Sequence, residues 1–494
     1  MSEKRIAITR KKDFFFVSGI LVISVIISLP FIQSKVISEN NFSSYLPALI
    51  EFHKNIKNWI LMPKWSPDFG SGYGLPFFIF NPPLFYYVSE VFHLIGYDFI
   101  NSMNLSCFLL NILSGLFMYL LAKELLGKTS GFVSSALYIL CPYILTALNV
   151  KYDFAELSSL PLLPVTALSF YKLSFAEKNY WKYFFSGALS LALLLLSHIK
   201  TSFIFLILLL LCIPVLTIYF NKKLNSFTAC AGSFFTGLLL SAFFWIPALL
   251  EKKYVRFAET PWRFSILVSF VCTLFFACLF DLLIIKFHKL KYLFIIILII
   301  LMFALFPLLT KEFSYSDFNE KDFSPKKIAS KGIFVISKKE YEPIWVREKS
   351  DKSPETRFTT IKGNVQLFYY MQGNKKIIVE KINPVQYSFR VNSLEDSKLR
   401  INIHYFPGWR AYIKEPRTLY KFEEVKIDCS NKYGLMDINV PSGYPEFEIR
   451  FENTSLREFS NILSFIGILA LYFVYLFSKV YPPDHQPRTG KTGN

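Results

Sequence analysis

The sequence predicts a polytopic α-helical membrane protein with a β-sandwich-like domain near its C-terminus. Hydrophobic residues make up 53% of the 494 residues and charged residues only 18%, whereas a soluble chain usually carries about 25% charged residues. Apolar runs of about 20 residues, long enough to cross a bilayer, recur through the first two thirds. In lipid such runs must be helices, because every backbone polar group needs a partner inside the segment.

About ten transmembrane helices are predicted from these runs. They cover residues 14–32, 102–122, 130–148, 154–174, 182–198, 200–220, 227–249, 263–285, 291–309 and 460–478. The further apolar run 77–96 is interrupted by Pro82 and Pro83 and carries Glu90 and His93 in its second half. Leaving it out of the spans places most basic loops on the side of the basic N-terminus, as the positive-inside rule requires. We therefore predict that 77–96 is interfacial or re-entrant.

This topology divides the chain into three parts. Residues 1–309 form a transmembrane core that includes a first outer loop, 33–101. Residues 310–459 form an extracytoplasmic connector and β domain, and 460–494 form the final span and a cytoplasmic tail. The strands of the β domain are predicted from alternation of apolar and polar residues at period two. This alternation is found at 399–405, 436–440 and 447–451.

The net charge of +18 does not indicate a nucleic-acid partner. The lysines and arginines lie mostly in short loops between apolar runs, a pattern typical of membrane orientation and of contact with anionic lipid headgroups. No basic stripe of the kind that binds nucleic acid is found. The predicted partner is membrane lipid, and the predicted location is a cell membrane with the β domain outside. With Cys429 as the only cysteine of the predicted β domain, neither a disulfide framework nor zinc-ligand spacing is indicated.

The first outer loop is the richest candidate site. Its segment 63–74 combines three glycines, which permit tight turns, with aromatic rings that could stack on a sugar. We take Trp65, Asp68 and Tyr73 as candidate substrate-binding residues. A membrane-surface cap built from aromatic belt residues is the alternative.

Two further clusters lie at predicted outer helix ends. Asp153 and Glu156 are spaced i, i+3 and share a face at the start of a helix. Carboxylates at a membrane boundary favour a functional role, although complementing the helix dipole is the alternative. His198 and Lys200 lie in a tight turn, where they could bind a phosphate or simply form a polar hairpin. No soluble-type phosphate loop, HExxH pair or nucleophile elbow is found.

Several segments together resemble a known group of proteins. They are 62–76, 81–84, 155–164, 197–198, 243–249, 405–411 and 440–443. The chain resembles bacterial membrane proteins labelled "6-pyruvoyl-tetrahydropterin synthase-related", which are similar to YfhO-like proteins and belong with GT-C-type glycosyltransferases. The resemblance implies a GT-C-like core and transfer of a sugar from a polyprenyl-phosphate donor to a glycan, lipid or protein acceptor of the cell envelope.

The resemblance also implies site residues. An acidic residue early in the first outer loop acts as the base in such enzymes, and Glu39 is the carboxylate at that place. Asp153 and Glu156 would assist it or hold a divalent metal such as Mg or Mn, and His198 and Lys200 would contact the phosphate. Where related proteins show Asp and then His, this chain has Glu39-Asn40. A non-catalytic protein that binds or handles lipid-linked sugars is therefore the alternative.

Overall fold

The computed structural model describes residues 2–32, 42–146, 153–176, 180–220, 224–256, 265–286, 341–348, 354, 356–367, 370–372, 375–377, 380–414 and 422–480. Glu39 and the predicted span 291–309 lie outside these residues.

The described helices are α1 (Ser2–Ile32), α2 (Phe42–Lys57), α3 (Phe77–Phe80), α4 (Leu84–Leu94), α5 (Phe99–Leu126), α6 (Lys128–Ile139), α7 (Pro142–Thr146), α8 (Phe154–Ser159), α9 (Leu162–Phe175), α10 (Tyr180–Ser197), α11 (Ile199–Pro214, extended by a π-helical turn Val215–Phe220), α12 (Leu224–Leu240), α13 (Ala242–Leu250), α14 (Ser265–Lys286) and α15 (Ser455–Val480). The described strands are β1 (Phe358–Lys362), β2 (Val365–Leu367), β3 (Tyr370–Gln372), β4 (Lys375–Ile377), β5 (Glu380–Asn383), β6 (Gln386–Ser393), β7 (Ser397–His404), β8 (Trp409–Lys414), β9 (Phe422–Val425), β10 (Leu435–Val440) and β11 (Glu446–Phe451).

Within the described residues, four helices are long and apolar enough to cross a membrane. They are α5, α10, α11 with its extension, and α15. The pair α12 and α13, bent by 68°, counts as a fifth if it forms one span. The apolar segments Asp13–Ser28 and Ile266–Leu282 are shorter. The prediction of a multi-pass helical protein is confirmed at this level, whereas the number of ten spans stays a prediction.

Two segments that we predicted as single spans are broken by proline. The predicted span 130–148 is divided into α6 and α7, and α7 begins at Pro142. The predicted span 154–174 is divided into α8 and α9 before Leu162, with Pro161 at the N-cap of α9. Proline has no N–H and restricts the residue before it, so each helix stops and a new one begins. The same effect divides 77–96 into the short helices α3 and α4.

The predicted span 227–249 is also bent, at Ser241 between α12 and α13. The final helix supports this bend from the side, because Phe243 donates its backbone N–H to the Ser464 hydroxyl at 2.8 Å. The indole of Trp245 donates to the Leu238 carbonyl oxygen at 3.0 Å. Side chains therefore satisfy backbone groups that the break exposes.

The described strands form two main antiparallel sheets and a separate β3–β4 pair. One sheet has the order β1-β7-β10, and the other has the order β2-β6-β11-β8-β9, with β5 also paired to β6. Apolar side chains of both sheets lie in one buried core, where the rings of Phe358 and Phe389 are 4.4 Å apart. The predicted strands at 399–405, 436–440 and 447–451 correspond to β7, β10 and β11.

The first outer loop belongs to the core of this β region. Trp65, Ile79 and Phe80 are buried in the same cluster as the strand residues. The ring of Trp65 lies 5.2 Å from that of Trp409 and 5.3 Å from that of Phe451. Burial of a Trp side chain contributes several kcal/mol to stability, on the order of 3–5 as judged by its removal. The loop and the β region are therefore one packed unit.

A tight turn brings the loop back upon Trp65. Ser66 and Leu75 exchange backbone hydrogen bonds of 2.9 and 3.0 Å. Gly74 has a φ of +83°, and a Cβ built at this position would lie 2.5 Å from the Trp65 ring. Only glycine fits this left-handed position against the indole.

A buried ion pair joins the β region to the membrane helices. The side chains of Arg457 in α15 and Glu251 after α13 are 0% and 2% exposed, with 2.9 Å between Nη2 and Oε2. The Arg457 guanidinium also donates to the carbonyl oxygens of Pro407 and Glu452 at 2.8 and 3.3 Å. Such a pair is held by its full set of hydrogen bonds, so removing one partner leaves an uncompensated charge.

We expect Gly74→Ala to destabilise the loop by about 1–3 kcal/mol from overpacking, in addition to the strain of a positive φ. Thermal unfolding of the purified full-length chain would measure this loss. Gly443→Ala is the matched control, because Gly443 has a φ of +114° but nothing within 4 Å of its added Cβ. Equal losses in the two variants would contradict the proposed contact with Trp65.

We expect Arg457→Met to cost about 3–5 kcal/mol, because Glu251 would remain buried without its partner. Arg410→Met is the control, since the Arg410 side chain is 44% exposed and its ion pairs are 3.5 Å long; it should cost less than about 1 kcal/mol. Adding Glu251→Gln to Arg457→Met should recover part of the stability. Thermal unfolding of the four proteins tests this, and equal losses for Arg457→Met and Arg410→Met would contradict it.

Candidate active site at the first outer loop

The predicted carboxylate pair lies at the N-terminus of α8. Asp153 caps this helix, with its Oδ1 accepting the Glu156 N–H at 3.2 Å. The same oxygen accepts the hydroxyl of Tyr45 in α2 at 3.1 Å. Glu156 is 2% exposed and its Oε1 accepts the Tyr143 hydroxyl at 2.8 Å. The structure therefore brings the pair together and links it to the first outer loop.

Aromatic rings form one wall beside these carboxylates. The rings of Phe85 and Phe154 stack at 4.7 Å with an interplanar angle of 5°. Tyr45 meets Phe154 edge to face at 4.9 Å and stacks on Tyr86 at 6.2 Å. Rings from α2, α4 and α8 thus hold the carboxylates in an apolar setting, where electrostatic interactions are stronger than in water.

Glu39, the predicted base, lies outside the described residues, three positions before the start of α2. Its role stays a prediction. What the structure adds is that Tyr45 in α2 contacts Asp153 directly.

His198 forms the N-cap of α11, where its Nδ1 accepts the Thr201 backbone N–H at 3.3 Å. The Thr201 hydroxyl lies 2.7 Å from the same nitrogen, and in the tautomer in which Nδ1 accepts, a neutral imidazole carries its proton on Nε2. His198 is 3% exposed, whereas Lys200 is exposed on the first turn of α11. The position at a helix N-terminus suits an anion, although contact with a phosphate stays a prediction for both residues.

Trp65, predicted to offer its ring to a sugar, lies in the protein core. Trp65 is fully buried against Trp409 and Phe451, so its ring is covered and stabilises the docked loop instead of facing a ligand. The partly buried Tyr73 stacks on His404 at 5.2 Å, and its carbonyl oxygen accepts the His404 N–H at 2.8 Å.

Asp68 belongs to a charged cluster that the sequence analysis missed. The Lys54 Nζ lies 2.5 Å from both the Glu51 Oε1 and the Asp68 Oδ2. Arg357, just before β1, approaches the other Asp68 oxygen at 4.0 Å. Burial raises the pKa of Glu51 to about 7. The neighbouring Asp68 carboxylate acts in the same direction, and the ammonium group of Lys54 lowers the pKa in part. The i, i+3 spacing of Glu51 and Lys54 was visible in the sequence, but nothing there shows that the first of them is buried.

The described residues do not form a metal centre. In the part of the chain that the structure describes, no group of three or more His, Cys, Asp or Glu side chains could hold an ion. Asp153 Oδ1 and Glu156 Oε1 already accept hydrogen bonds from protein groups. Asp153 and Glu156 alone therefore do not fit a dedicated Mg or Mn site.

Residues 81–246 match the family of dolichyl-phosphate-mannose-protein mannosyltransferases. This match confirms the predicted resemblance to GT-C-type membrane glycosyltransferases. The matched segment includes Asp153, Glu156, His198 and Lys200, which are the carboxylate and phosphate candidates.

Among solved structures, the oligosaccharyltransferase of Archaeoglobus fulgidus, in complex with Zn and sulfate, is 18% identical to the chain with a TM-score of 0.38. The similarity covers 59% of this chain and 40% of that one, so this chain spans well under half the length of the archaeal protein. No curated protein sequence matches the chain.

We expect the raised pKa of Glu51 to make stability depend on pH. The native carboxyl keeps its proton up to about pH 7, whereas the unfolded one loses it near pH 4.5. The native state therefore binds more protons in this window, and its stability falls as pH rises through it. Thermal unfolding should show a steeper fall for the wild type than for Glu51→Gln.

Glu446→Gln serves as the control for this experiment. The Glu446 side chain is 24% exposed and forms a surface ion pair with Arg390, so the wild-type pH dependence should persist in that variant. If Glu51→Gln showed the same pH dependence as the wild type, the raised pKa of Glu51 would be contradicted as its cause.

Proposed function

We propose that the protein transfers a sugar from a polyprenyl-phosphate-linked donor to an extracytoplasmic acceptor of the cell envelope. The observation that carries the proposal is the pair Asp153 and Glu156, held at a helix start inside the GT-C-like segment and joined to the outer loop by Tyr45. Carboxylates buried at a membrane boundary are costly, so they favour a functional role. The donor, the acceptor and a bacterial cell membrane as location are parts of this proposal.

In the proposed reaction a carboxylate serves as general base. Glu39 accepts the proton of the acceptor hydroxyl while that oxygen bonds to the anomeric carbon of the sugar. The bond between the anomeric carbon and the phosphate oxygen breaks, and its electrons leave with the polyprenyl phosphate. Asp153, fixed by its hydrogen bonds to Tyr45 and Glu156, orients the acceptor beside the base.

The leaving phosphate needs positive charge and hydrogen-bond donors. The N-terminus of α11 supplies a partial positive charge. His198, with its Nδ1 engaged by the Thr201 N–H, would present its Nε2–H. Lys200 on the same turn adds a full charge, and such groups stabilise charge that develops on the phosphate.

The β region would lie on the extracytoplasmic side as a sandwich-like module. Its core includes Trp65 of the first outer loop, and Arg457 fixes it to Glu251. We propose that this packing places an acceptor-binding or covering surface over the loop.

A non-catalytic role in handling lipid-linked sugars is the second candidate. The breaks between α6 and α7, α8 and α9, and α12 and α13 favour it, because transport proteins place interrupted helices at their substrate sites. Such a protein would bind lipid-linked sugar without changing it.

We expect Glu39→Gln to lower transfer by about 10²–10⁴-fold, because the general base is lost, and Asp153→Asn to lower it because the acceptor loses its orienting carboxylate. Mass spectrometry of envelope glycans from a deletion strain of the host, complemented with each variant, measures this. Loss of a defined sugar in the deletion, restored by wild type but by neither Glu39→Gln nor Asp153→Asn, would support the enzyme.

Asp98→Asn is the matched control. Asp98 caps α5 as Asp153 caps α8. Because Asn caps helices as well as Asp does, we expect Asp98→Asn and Asp153→Asn each to keep the fold and to lose one charge. Asp98→Asn should restore the sugar fully. Full restoration by both site variants, or glycans unchanged by deletion, would instead support the non-catalytic role.

A further inference from the structure

A histidine and a carboxylate form a pair on the face of α2 away from the Glu51 cluster. The His53 Nδ1 lies 2.8 Å from the Glu90 Oε1 of α4. The Glu90 side chain is 4% exposed, whereas that of His53 is 24% exposed. A buried carboxylate thus supports a partly exposed imidazole.

The second oxygen of Glu90 is unusual. Among the described residues Oε2 has no hydrogen-bond partner although it is buried. Leaving a buried acceptor without a hydrogen bond is destabilising, because its interaction with water is lost and not replaced. A carboxylate kept in this state indicates a role beyond packing, and within the described part of the chain it is hydrogen-bonded through Oε1 to the imidazole of His53.

The hydrogen bond sets the proton positions of the ring. A carboxylate only accepts hydrogen bonds, so the Nδ1–H of His53 is the donor to Glu90, and in this tautomer Nε2 is the acceptor. The nearest titratable ring is that of His93, 4.6 Å away edge to face, with its own Nδ1 held by the Tyr97 carbonyl oxygen. Lys57 lies one turn further along α2 and is exposed.

An apolar strip runs beside the pair to a spanning helix. Its members are exposed large side chains in the last turn of α4 and in the connection to α5: Val91 (56%), Leu94 (65%), Ile95 (70%) and Tyr97 (49%). α5 begins two residues after Tyr97 and is long and apolar enough to cross the membrane. Glu90, the partner of His53, lies on the same helix as the first two members of this strip.

We propose that His53 and Glu90 form a subsite for a hydroxyl of a membrane-bound sugar headgroup, with Nε2 of His53 accepting the hydrogen bond. The carboxyl group of Glu90 is acidic and lies behind the ring, which favours a hydroxyl donor over a phosphate as the ligand. The subsite rests on the proposed function for its substrate, and the first two experiments do not need transfer activity.

The first experiment measures the nucleophilicity of Nε2. Diethylpyrocarbonate, which reacts with unprotonated imidazole nitrogen, is applied to the full chain in nanodiscs, and the modified histidines are followed by peptide mass spectrometry. Glu90→Gln keeps a hydrogen-bond acceptor but removes the charge, so His53 should react about fivefold more slowly, which corresponds to about 1 kcal/mol. His93 is the internal control and should keep its rate; an unchanged His53 rate would overturn the pair.

The second experiment tests the ligand class. Octyl glucoside below its micellar concentration should protect His53 from modification, because its chain fits the strip and its hydroxyls reach Nε2. Octyl phosphate should protect less. Equal or stronger protection by octyl phosphate, or no protection by octyl glucoside, would overturn the proposal.

A third measurement separates failure of the subsite from failure of the proposed function. If the protein transfers sugar, His53→Gln should raise KM at least fivefold with little change in kcat, and His93→Gln should not. If it transfers none, protection of His53 still decides the subsite. A kcat loss in His53→Gln without a KM change would overturn the binding role.

Discussion

The packing of the first outer loop into the β region is the constraint on which the rest of the structure depends. Trp65 lies against Trp409 and Phe451 in the β core, while α2, at the start of the same loop, contacts Asp153 through Tyr45. One loop therefore connects the β core with the carboxylates at the membrane helices. The buried pair of Arg457 and Glu251 provides a second link between the β region and the membrane helices.

The sequence predicts those features that depend on local pattern. Span length and composition identify α5 and α15, and period-two alternation identifies β7 and β10. The pair Asp153 and Glu156 was found from spacing alone, because a helix brings i and i+3 together. Pro82 and Pro83 also indicated the break between α3 and α4. Pro142 and Pro161 carry the same information, but continuous apolar runs around them hid it.

What could not be predicted depends on contacts between distant residues. Arg457 meets Glu251 across 206 positions, and Glu90 supports His53 across 37. Neither partner carries a local signal that it is buried. The role of Trp65 could not be predicted for the same reason. An aromatic residue in a glycine-rich loop can either stack on a sugar or pack in a core, and the packing against Trp409 shows that Trp65 does the second.

The placement of Glu251 and Arg457 also orders the assembly of the protein in time. Synthesis proceeds at about 5–20 residues per second. Arg457, 206 positions after Glu251, is therefore made about 10–40 s later. Until α15 arrives, a carboxylate stands unpaired beside α13. The buried site beside α13 is therefore completed only once α15 is in place. A chain in which α15 is not inserted would leave the Glu251 carboxylate without the guanidinium of Arg457.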